Sequence, residues 1–213
     1  FCEVSLLNIE VLVIGGTLRV MPYVMAPYST VSLLYDDEKK IIIDAGSFVT
    51  WEALEKALKI KNILPEQITD MIFTHVHMDH IFSSIFFKSA SVYVHEKYKT
   101  RDYSSFGPIA GQLYSLVVSN WKSIHTLKGG ERLFDCVEVF YTPYHSSDHI
   151  SLLIETENMG RIFMPGDICY SKVEYYEAVK GYKNDEAAIF VRETSKKCDW
   201  VVFTHDEPLK ISR

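Results

Sequence analysis

Thr74-His75-Val76-His77-Met78-Asp79-His80 gathers three imidazoles and a carboxylate within residues 75–80, directly after the apolar run Met71-Ile72-Phe73. Imidazole nitrogen and carboxylate oxygen are the lone-pair donors that hold divalent cations. In an extended segment, residues two apart point the same way, so His75 and His77 can grip one ion. Asp79 and His80 face another side and open an expected helix over residues 81–87, whose positive N-terminal end suits an aspartate. One short loop can thus serve two ions. The bland alternative is a chance gathering of surface or capping residues, and so dense a cluster of ligand types weighs against it.

Other histidines and aspartates stand at the ends of apolar runs. His145 follows Tyr141-Thr142-Pro143, Asp167 follows Phe163-Met164-Pro165-Gly166, and His205 follows Val201-Val202-Phe203-Thr204. The full set offers His75, His77 and His145 to one ion, Asp79, His80 and His205 to a second, and Asp167 as a bridge between them. Two ions about 3.5–4 Å apart would hold one water and lower its pKa towards ~7. Two divalent charges, two carboxylates and one hydroxide leave about +1, which suits an oxyanion forming in a transition state.

The elements that must position these groups are legible as periodicity. Apolar or alternating runs predict strands at residues 10–14, 30–35, 40–44, 71–74, 91–95, 137–141, 150–155, 161–164 and 200–204. Helical spacing predicts helices at 50–60, 109–120, 172–180 and 185–196. Strands mixed with helices imply a layered α/β architecture. Asp44, His75 and Asp167 each follow a strand and precede a turn or helix, where α/β folds place their sites. With no low-complexity linker or charge block, residues 1–213 are expected to form a single domain.

Composition bounds the function. The 213 residues are 47% hydrophobic and 13% aromatic, ample for a sizeable core. A net charge of -6 argues against a general nucleic-acid-binding surface and leaves a small-molecule substrate, phosphate-bearing ones included. Cys2, Cys136, Cys169 and Cys198 form no CxxC pair, so neither a disulfide framework nor a thiolate zinc knuckle is expected. A cytoplasmic location follows as the expectation. The first residues carry Glu3 and Glu10 and no basic stretch, and no apolar run approaches membrane-spanning length; neither secretion nor a membrane span is expected.

Taken in order, the HxHxDH cluster, Thr142-Pro143-Tyr144-His145, Gly166-Asp167 and Thr204-His205 resemble the metallo-beta-lactamase fold hydrolases. Asp44 in Ile41-Ile42-Ile43-Asp44-Ala45-Gly46 matches their early strand-end aspartate, and the resemblance spans residues 30–206. It implies a four-layer αββα sandwich with a binuclear metal site at one edge between two sheets, and the ligand assignment given above. Asp44 would organise the loops behind the ligands, and His149, four after His145, would support them likewise. Tyr144 stands where the family commonly has Gly, so either the loop accommodates the ring or the ring projects towards substrate.

Within that superfamily, the segments from Tyr141 through His149 and Ser151 to Glu157, from Asp167 to Lys172, and His205-Asp206 are similar to those of N-acyl homoserine lactone lactonases. In those enzymes a tyrosine three residues after the bridging aspartate hydrogen-bonds the lactone carbonyl or leaving oxygen. Tyr170 occupies that place, and an ordinary aromatic at a helix start is the competing reading. Tyr144 and Ser147-Asp148 depart from the lactonase pattern.

The expected activity is therefore hydrolysis of a carbonyl ester, a lactone first, by a bridging hydroxide, with Asp79 orienting the nucleophile and Tyr170 assisting the carbonyl or leaving group. Three other readings stand beside it. A thioesterase resembling glyoxalase II would share every ligand, but that family carries a C-terminal helical substrate domain and this chain stops at Arg213. A phosphodiesterase or nuclease is disfavoured by the acidic balance. A non-hydrolytic iron protein keeps related loops. Zinc is the first expectation for the two ions, with Fe or Mn as alternatives. His95 is expected to pack, Cys169 to be an inert buried thiol, and His125 has no assigned partner. Residues 98–121, with Tyr103, Phe106, Tyr114 and Trp121, are either a substrate-covering insertion or a packed helix and its preceding loop.

Overall fold

The computed structural model describes residues 6–212. The chain enters through β1 (Asn8–Val13), turns out into a hairpin of β2 (Gly16–Val20) and β3 (Val24–Tyr28), and returns as β4 (Val31–Tyr35) and β5 (Lys40–Ile43). Helix α1 (Trp51–Ile60), β6 (Asp70–Ile72), the short α2 (Met78–Ile81), β7 (Ser91–His95), α3 (Ala110–Ser119) and β8 (Ser123–Leu127) complete the first half. The second half runs β9 (Arg132–Leu133), β10 (Val137–Tyr141), β11 (Ile150–Thr156), β12 (Gly160–Met164), α4 (Lys172–Val179), α5 (Glu186–Ser195), β13 (Trp200–Val201) and β14 (Leu209–Lys210).

Two six-stranded sheets result, ordered β1-β4-β5-β6-β7-β8 and β14-β13-β12-β11-β10-β9. Their inner strands β4, β5, β6 and β11 are buried on both faces because both faces are covered. Ile41 and Ile43 of β5 point between the sheets, with Leu34, Ile72, Val139 and Ile154, while Ile42 points to the core that holds Leu54 and Leu58 of α1. In the second sheet Leu152, Ile154, Ile162 and Met164 face inward, and Leu153 and Phe163 pack with Ala178 of α4 and Ala188 and Val191 of α5. The layers are thus helix, sheet, sheet, helix: the αββα sandwich that the resemblance implied.

Local chemistry sets the helix ends. Helix α1 buries only Leu54 and Leu58, one turn apart, and stops where Asn62 takes φ 55 and Ile63 N–H bonds back to Leu58 O at 3.0 Å. Asp185 caps α5, its carboxylate accepting Ala188 N–H at 2.8 Å. The helix expected over residues 81–87 is different. It begins earlier, at Met78 with His77 as its cap, and after Ile81 tightens into a 3-10 stretch over Phe82–Phe86. The reason is a diverted carbonyl: His80 O, which would bond residue 84 in a continuing helix, accepts Ala45 N–H at 2.6 Å instead. Asp79 and His80 therefore lie inside the first turn.

The hairpin β2–β3 and the strands β8, β9 and β14 were not among the expected strands. Pro22 and Pro27 argue against a strand by their missing donors, yet Pro27 sits in a two-stranded ribbon opposite Thr17, where a free edge tolerates it. Strand β8 is an edge whose Leu127 alone is buried, so its alternation is weak. The last expected strand, 200–204, contracts to Trp200–Val201. No helix among the described residues is long and apolar enough to cross a membrane. Cys136 and Cys169 are free thiols and Cys198 is buried; Cys2 and Glu3 lie outside the described residues.

All candidate site loops leave one edge. Strands β5 and β6 run parallel, and so do β12 and β13, so that Asp44, the 74–80 loop, Asp167 and His205 emerge on the same side. There the two sheets are joined by Ile150 N–H to Thr74 O at 2.7 Å and Thr30 N–H to Thr204 O at 2.6 Å. Phe163, fully buried against α5, is the natural test of the outer layer. Phe163→Ala is expected to cost ~3–5 kcal/mol, read as a lowered urea midpoint, whereas Leu18→Ala on the exposed hairpin is expected to stay within ~0.5 kcal/mol. A small loss at Phe163 would contradict this packing.

Candidate metal centre

The structure brings His75, His77, His145 and Asp167 into one group and Asp79, His80 and His205 into another, with the donor atoms of each group within 4.8 Å of one another. In the first group His75 Nε2 lies 2.7 Å from His77 Nδ1, and His145 Nε2 lies 3.1 Å from the same atom. Three ring nitrogens thus converge on one point. In the second group Asp79 Oδ2 lies 3.5 Å from His80 Nε2 and 3.4 Å from His205 Nε2. Asp167 stands between the groups. Its Oδ1 is 3.4 Å from His80 Nε2, and its Oδ2 is 3.5 Å from His205, 3.6 Å from His145 and 3.8 Å from His75.

Each of these side chains is aimed by something behind it. Asp44, at the end of β5, accepts Thr74 N–H at 2.9 Å and the Thr74 hydroxyl at 2.8 Å, and its Oδ2 lies 2.9 Å from His80 Nδ1. The carboxylate fixes the His80 proton on Nδ1 and leaves Nε2 facing the centre. To reach both partners Asp44 adopts a left-handed φ of 50, which a short polar side chain tolerates. His205 is held by Tyr28 O, 2.9 Å from its Nδ1. Thr204 donates to Asp167 Oδ1 at 2.6 Å. His149, fully buried, accepts Asp167 N–H on Nε2 at 3.0 Å and meets Thr142 Oγ1 through Nδ1 at 2.9 Å. Gly166 is obligatory beside it, because its φ is +65 and a Cβ there would lie 2.4 Å from His149 Nε2.

Electrostatics divides the histidines. Burial pushes His75, His77 and His145 down, His77 to about 4 with Arg101 beside it, so these rings are neutral with free lone pairs at pH 7. Burial also disfavours a charge on His80, but the carboxylates of Asp167, Asp44 and Asp79 outweigh it and hold the ring well above its ordinary value. His205 is raised in the same way by Asp167, against its burial. Asp167, which burial alone would raise, is held well below the usual carboxylate range by His80, His205 and His75. The donor set fits divalent cations. His80 Nε2 is buried without a hydrogen-bond partner and points at two carboxylates, so a cation placed between them can displace the proton of the ring.

The remaining expectations resolve by position. Tyr144 is 45% exposed, and its φ is not left-handed, since among the described non-glycine residues only Asp44, Asn62, Phe134 and Asp135 are. The loop therefore takes the ring without strain, and the ring, with His145, Asp167, Glu174 and Lys183, lines a cavity of about 200 Å³. Tyr170 is half-exposed with its ring 5.9 Å from that of His205, and its carbonyl accepts His205 N–H at 3.0 Å. Within 98–121, Tyr98, Tyr114 and Trp121 are core, while Phe106 stays partly exposed with its ring 6.4 Å from His77. Cys169 is buried and its thiol is pushed up. His95 stacks on Tyr141 at 4.3 Å, and His125 stacks on Tyr93 at 4.7 Å. Thr74, Thr142 and Thr204 were missed in the sequence; the available signal was a threonine at or just past the strand end, ahead of each histidine.

A family model, the metallo-beta-lactamase superfamily, matches residues 25–171. The chain belongs to the metallo-beta-lactamase superfamily. A candidate metallo-beta-lactamase of Thermotoga maritima, solved as a crystal structure, is 44% identical, with a TM-score of 0.93 over 97% of this chain and 100% of that one. A quorum-quenching N-acyl homoserine lactone lactonase shares the fold at 19% identity, with a TM-score of 0.66 over 96% of this chain and 92% of its own. Among curated proteins, an N-acyl homoserine lactonase of Bacillus cereus is 26% identical over 156 residues, 70% of this chain and 60% of that protein. Metallo-beta-lactamase domain-containing protein 1 of Xenopus laevis is 27% identical over 60% of this chain, which spans 49% of its length.

The buried imidazoles make the ion-free protein acid-sensitive. His149 takes up a proton near 6.5 in the unfolded chain but only at about 3 in the fold. Below 6.5 the unfolded state binds more protons, so stability falls as pH falls, by ~1.4 kcal/mol per pH unit for this group. His75, His77 and His145 act in the same direction; His80 and His205, with raised values, contribute stability that is lost as pH rises. His149→Gln is expected to flatten the fall in urea midpoint between pH 7 and pH 5. Parallel slopes for variant and wild type would sink the assignment.

Proposed function

We propose that this chain is a hydrolase that holds two divalent ions, zinc first with iron or manganese as alternatives, and opens a carbonyl ester, a lactone above others. The observation that carries the reading is the Asp167 carboxylate, which lies within 3.4–3.8 Å of ring nitrogens from both histidine groups. His75, His77 and His145 would hold one ion, Asp79, His80 and His205 the other, with Asp167 shared. Ions bound there supply a water with a pKa lowered towards ~7 and a Lewis acid for the carbonyl.

The chain's own residues do the rest. Asp79, 14% exposed and facing the centre, orients the attacking water and accepts its proton at Oδ2, to be returned to the leaving alkoxide. Tyr170, half-exposed beside His205, donates its phenol to the carbonyl or leaving oxygen. Phe106 and the stacked Tyr103 and Tyr114 form an aromatic wall next to His77 that keeps bulk water from one side. Asp44 and His149 keep His80 and Asp167 in place. The lactone preference is supported by the N-acyl homoserine lactonases among the relatives and by Tyr170. One structural neighbour carries the product N-hexanoyl-L-homoserine at its catalytic metal centre.

The substrate would be a small molecule, neither nucleic acid nor membrane, and residues 1–213 would act as one domain. The free buried thiols of Cys136 and Cys169 support a reducing, cytoplasmic setting. Metal-reconstituted protein is expected to prefer lactones over S-lactoylglutathione-type thioesters and bis-p-nitrophenyl phosphate. A preference for either competitor overturns the lactone assignment. Asp79→Asn is expected to keep most of its metal while kcat falls ~10²–10⁴-fold; wild-type turnover in that variant would overturn the hydrolytic role.

A further inference from the structure

Asp148 is fully buried, three residues past His145, and its carboxylate makes three bonds that converge on one half of the centre. Its Oδ2 accepts Val76 N–H at 2.8 Å, and Val76 lies between His75 and His77. Its Oδ1 accepts the hydroxyl of Ser146, next to His145, at 2.9 Å, and Arg101 Nη1 at 2.6 Å. A single carboxylate therefore ties the backbone that carries two of the histidines to the loop that carries the third. Arg101, its side chain 12% exposed and its guanidinium 5.2 Å over the Phe106 ring, supplies the counter-charge that a buried carboxylate requires. The same loop has a second support one step further on, where Met78 N–H donates to the Tyr114 hydroxyl at 3.0 Å.

The other half of the centre is held by different groups. His80 leans on Asp44 and His205 on the Tyr28 carbonyl, and neither touches Asp148. Asp44 reaches both clusters through Thr74, whose hydroxyl lies 3.2 Å from His75 Nδ1 and 3.4 Å from His80 Nδ1, whereas the bonds of Asp148 run to the segments that carry His75, His77 and His145. We propose that Asp148, charge-balanced by Arg101, is the positioning residue of the His75, His77 and His145 group, and of that group alone. It also gives residues 98–121 a function that neither a movable cover nor passive packing describes, since their cation completes the brace. The inference rests on the metal-binding reading above.

A residue that merely stabilises the fold would weaken both ion sites alike or neither. The test isolates each site, His205→Ala leaving only the three-histidine group competent and His145→Ala leaving only the Asp79, His80 and His205 group. Cobalt(II) affinity is measured by competition with a chelating dye, alongside far-UV circular dichroism and thermal unfolding. Asp148→Asn keeps the shape but loses the charge and turns a donor towards Arg101 or Val76. It is expected to weaken cobalt binding ~10–100-fold in the His205→Ala background and to leave it unchanged in the His145→Ala background. Arg101→Gln, which disturbs the fold less, is expected to give a smaller loss with the same selectivity, and Arg101→Lys to restore most of it. Equal losses in the two backgrounds, or none in either, overturn this proposal alone. Saturating cobalt below one equivalent in the wild-type protein would overturn the metal reading and this proposal with it.

Discussion

Every imidazole has two ring nitrogens, and the bond made by the second decides where the first points. The centre of this protein is organised around that constraint. His80 is turned by Asp44, His205 by the carbonyl of Tyr28, and His75 has the Thr74 hydroxyl 3.2 Å from its Nδ1. Rings left free to rotate in a buried seam would satisfy themselves on one another; held from behind at Nδ1, they turn Nε2 inward. Asp44 can do this only from a left-handed backbone at the end of β5, and β5 can end there only because Ile41, Ile42 and Ile43 lock it between two cores.

The same constraint explains why the site sits on the seam of two sheets. One sheet brings Asp44 and the 74–80 loop, the other brings His145, Asp167 and His205, and the bonds Ile150 to Thr74 and Thr30 to Thr204 set the two in register. Asp167 then lies where it feels histidines of both groups. Its charge favours the protonated form of His80 and His205, while burial favours the neutral form of the three other rings. A cluster so dense in buried ionisable groups is costly by itself, and the protons it stores are those a divalent cation would displace.

Much of this was legible beforehand because it is local. The 75–80 cluster, the strand-end positions of Asp44, His145, Asp167 and His205, and the helices at 50–60, 109–120, 172–180 and 185–196 all depend on spacing within a few residues. What escaped notice depends on distant partners. The helix after His77 is cut short by a bond from Ala45; the hairpin carries prolines that only an unpaired ribbon accepts. Thr74, Thr142 and Thr204 look like ordinary strand residues until Asp44, His149 and Asp167 are placed against them. Asp148 read only as a departure from a pattern, because Arg101 and Val76 are far from it in the chain.

The sequence by itself determined which residues have metal-binding chemistry, that they stand at strand ends, and that a layered α/β architecture would surround them, since residue type and period are properties of short segments; the αββα order came from the family resemblance. Only the tertiary structure decided which of them meet. The strand order β1-β4-β5-β6-β7-β8 facing β14-β13-β12-β11-β10-β9 brings residues 44, 75, 145, 167 and 205 to one edge, and no spacing along the chain encodes that distance. The packing of two sheets also decided the supporting contacts, because a buried polar group takes its partner from whatever element folds against it.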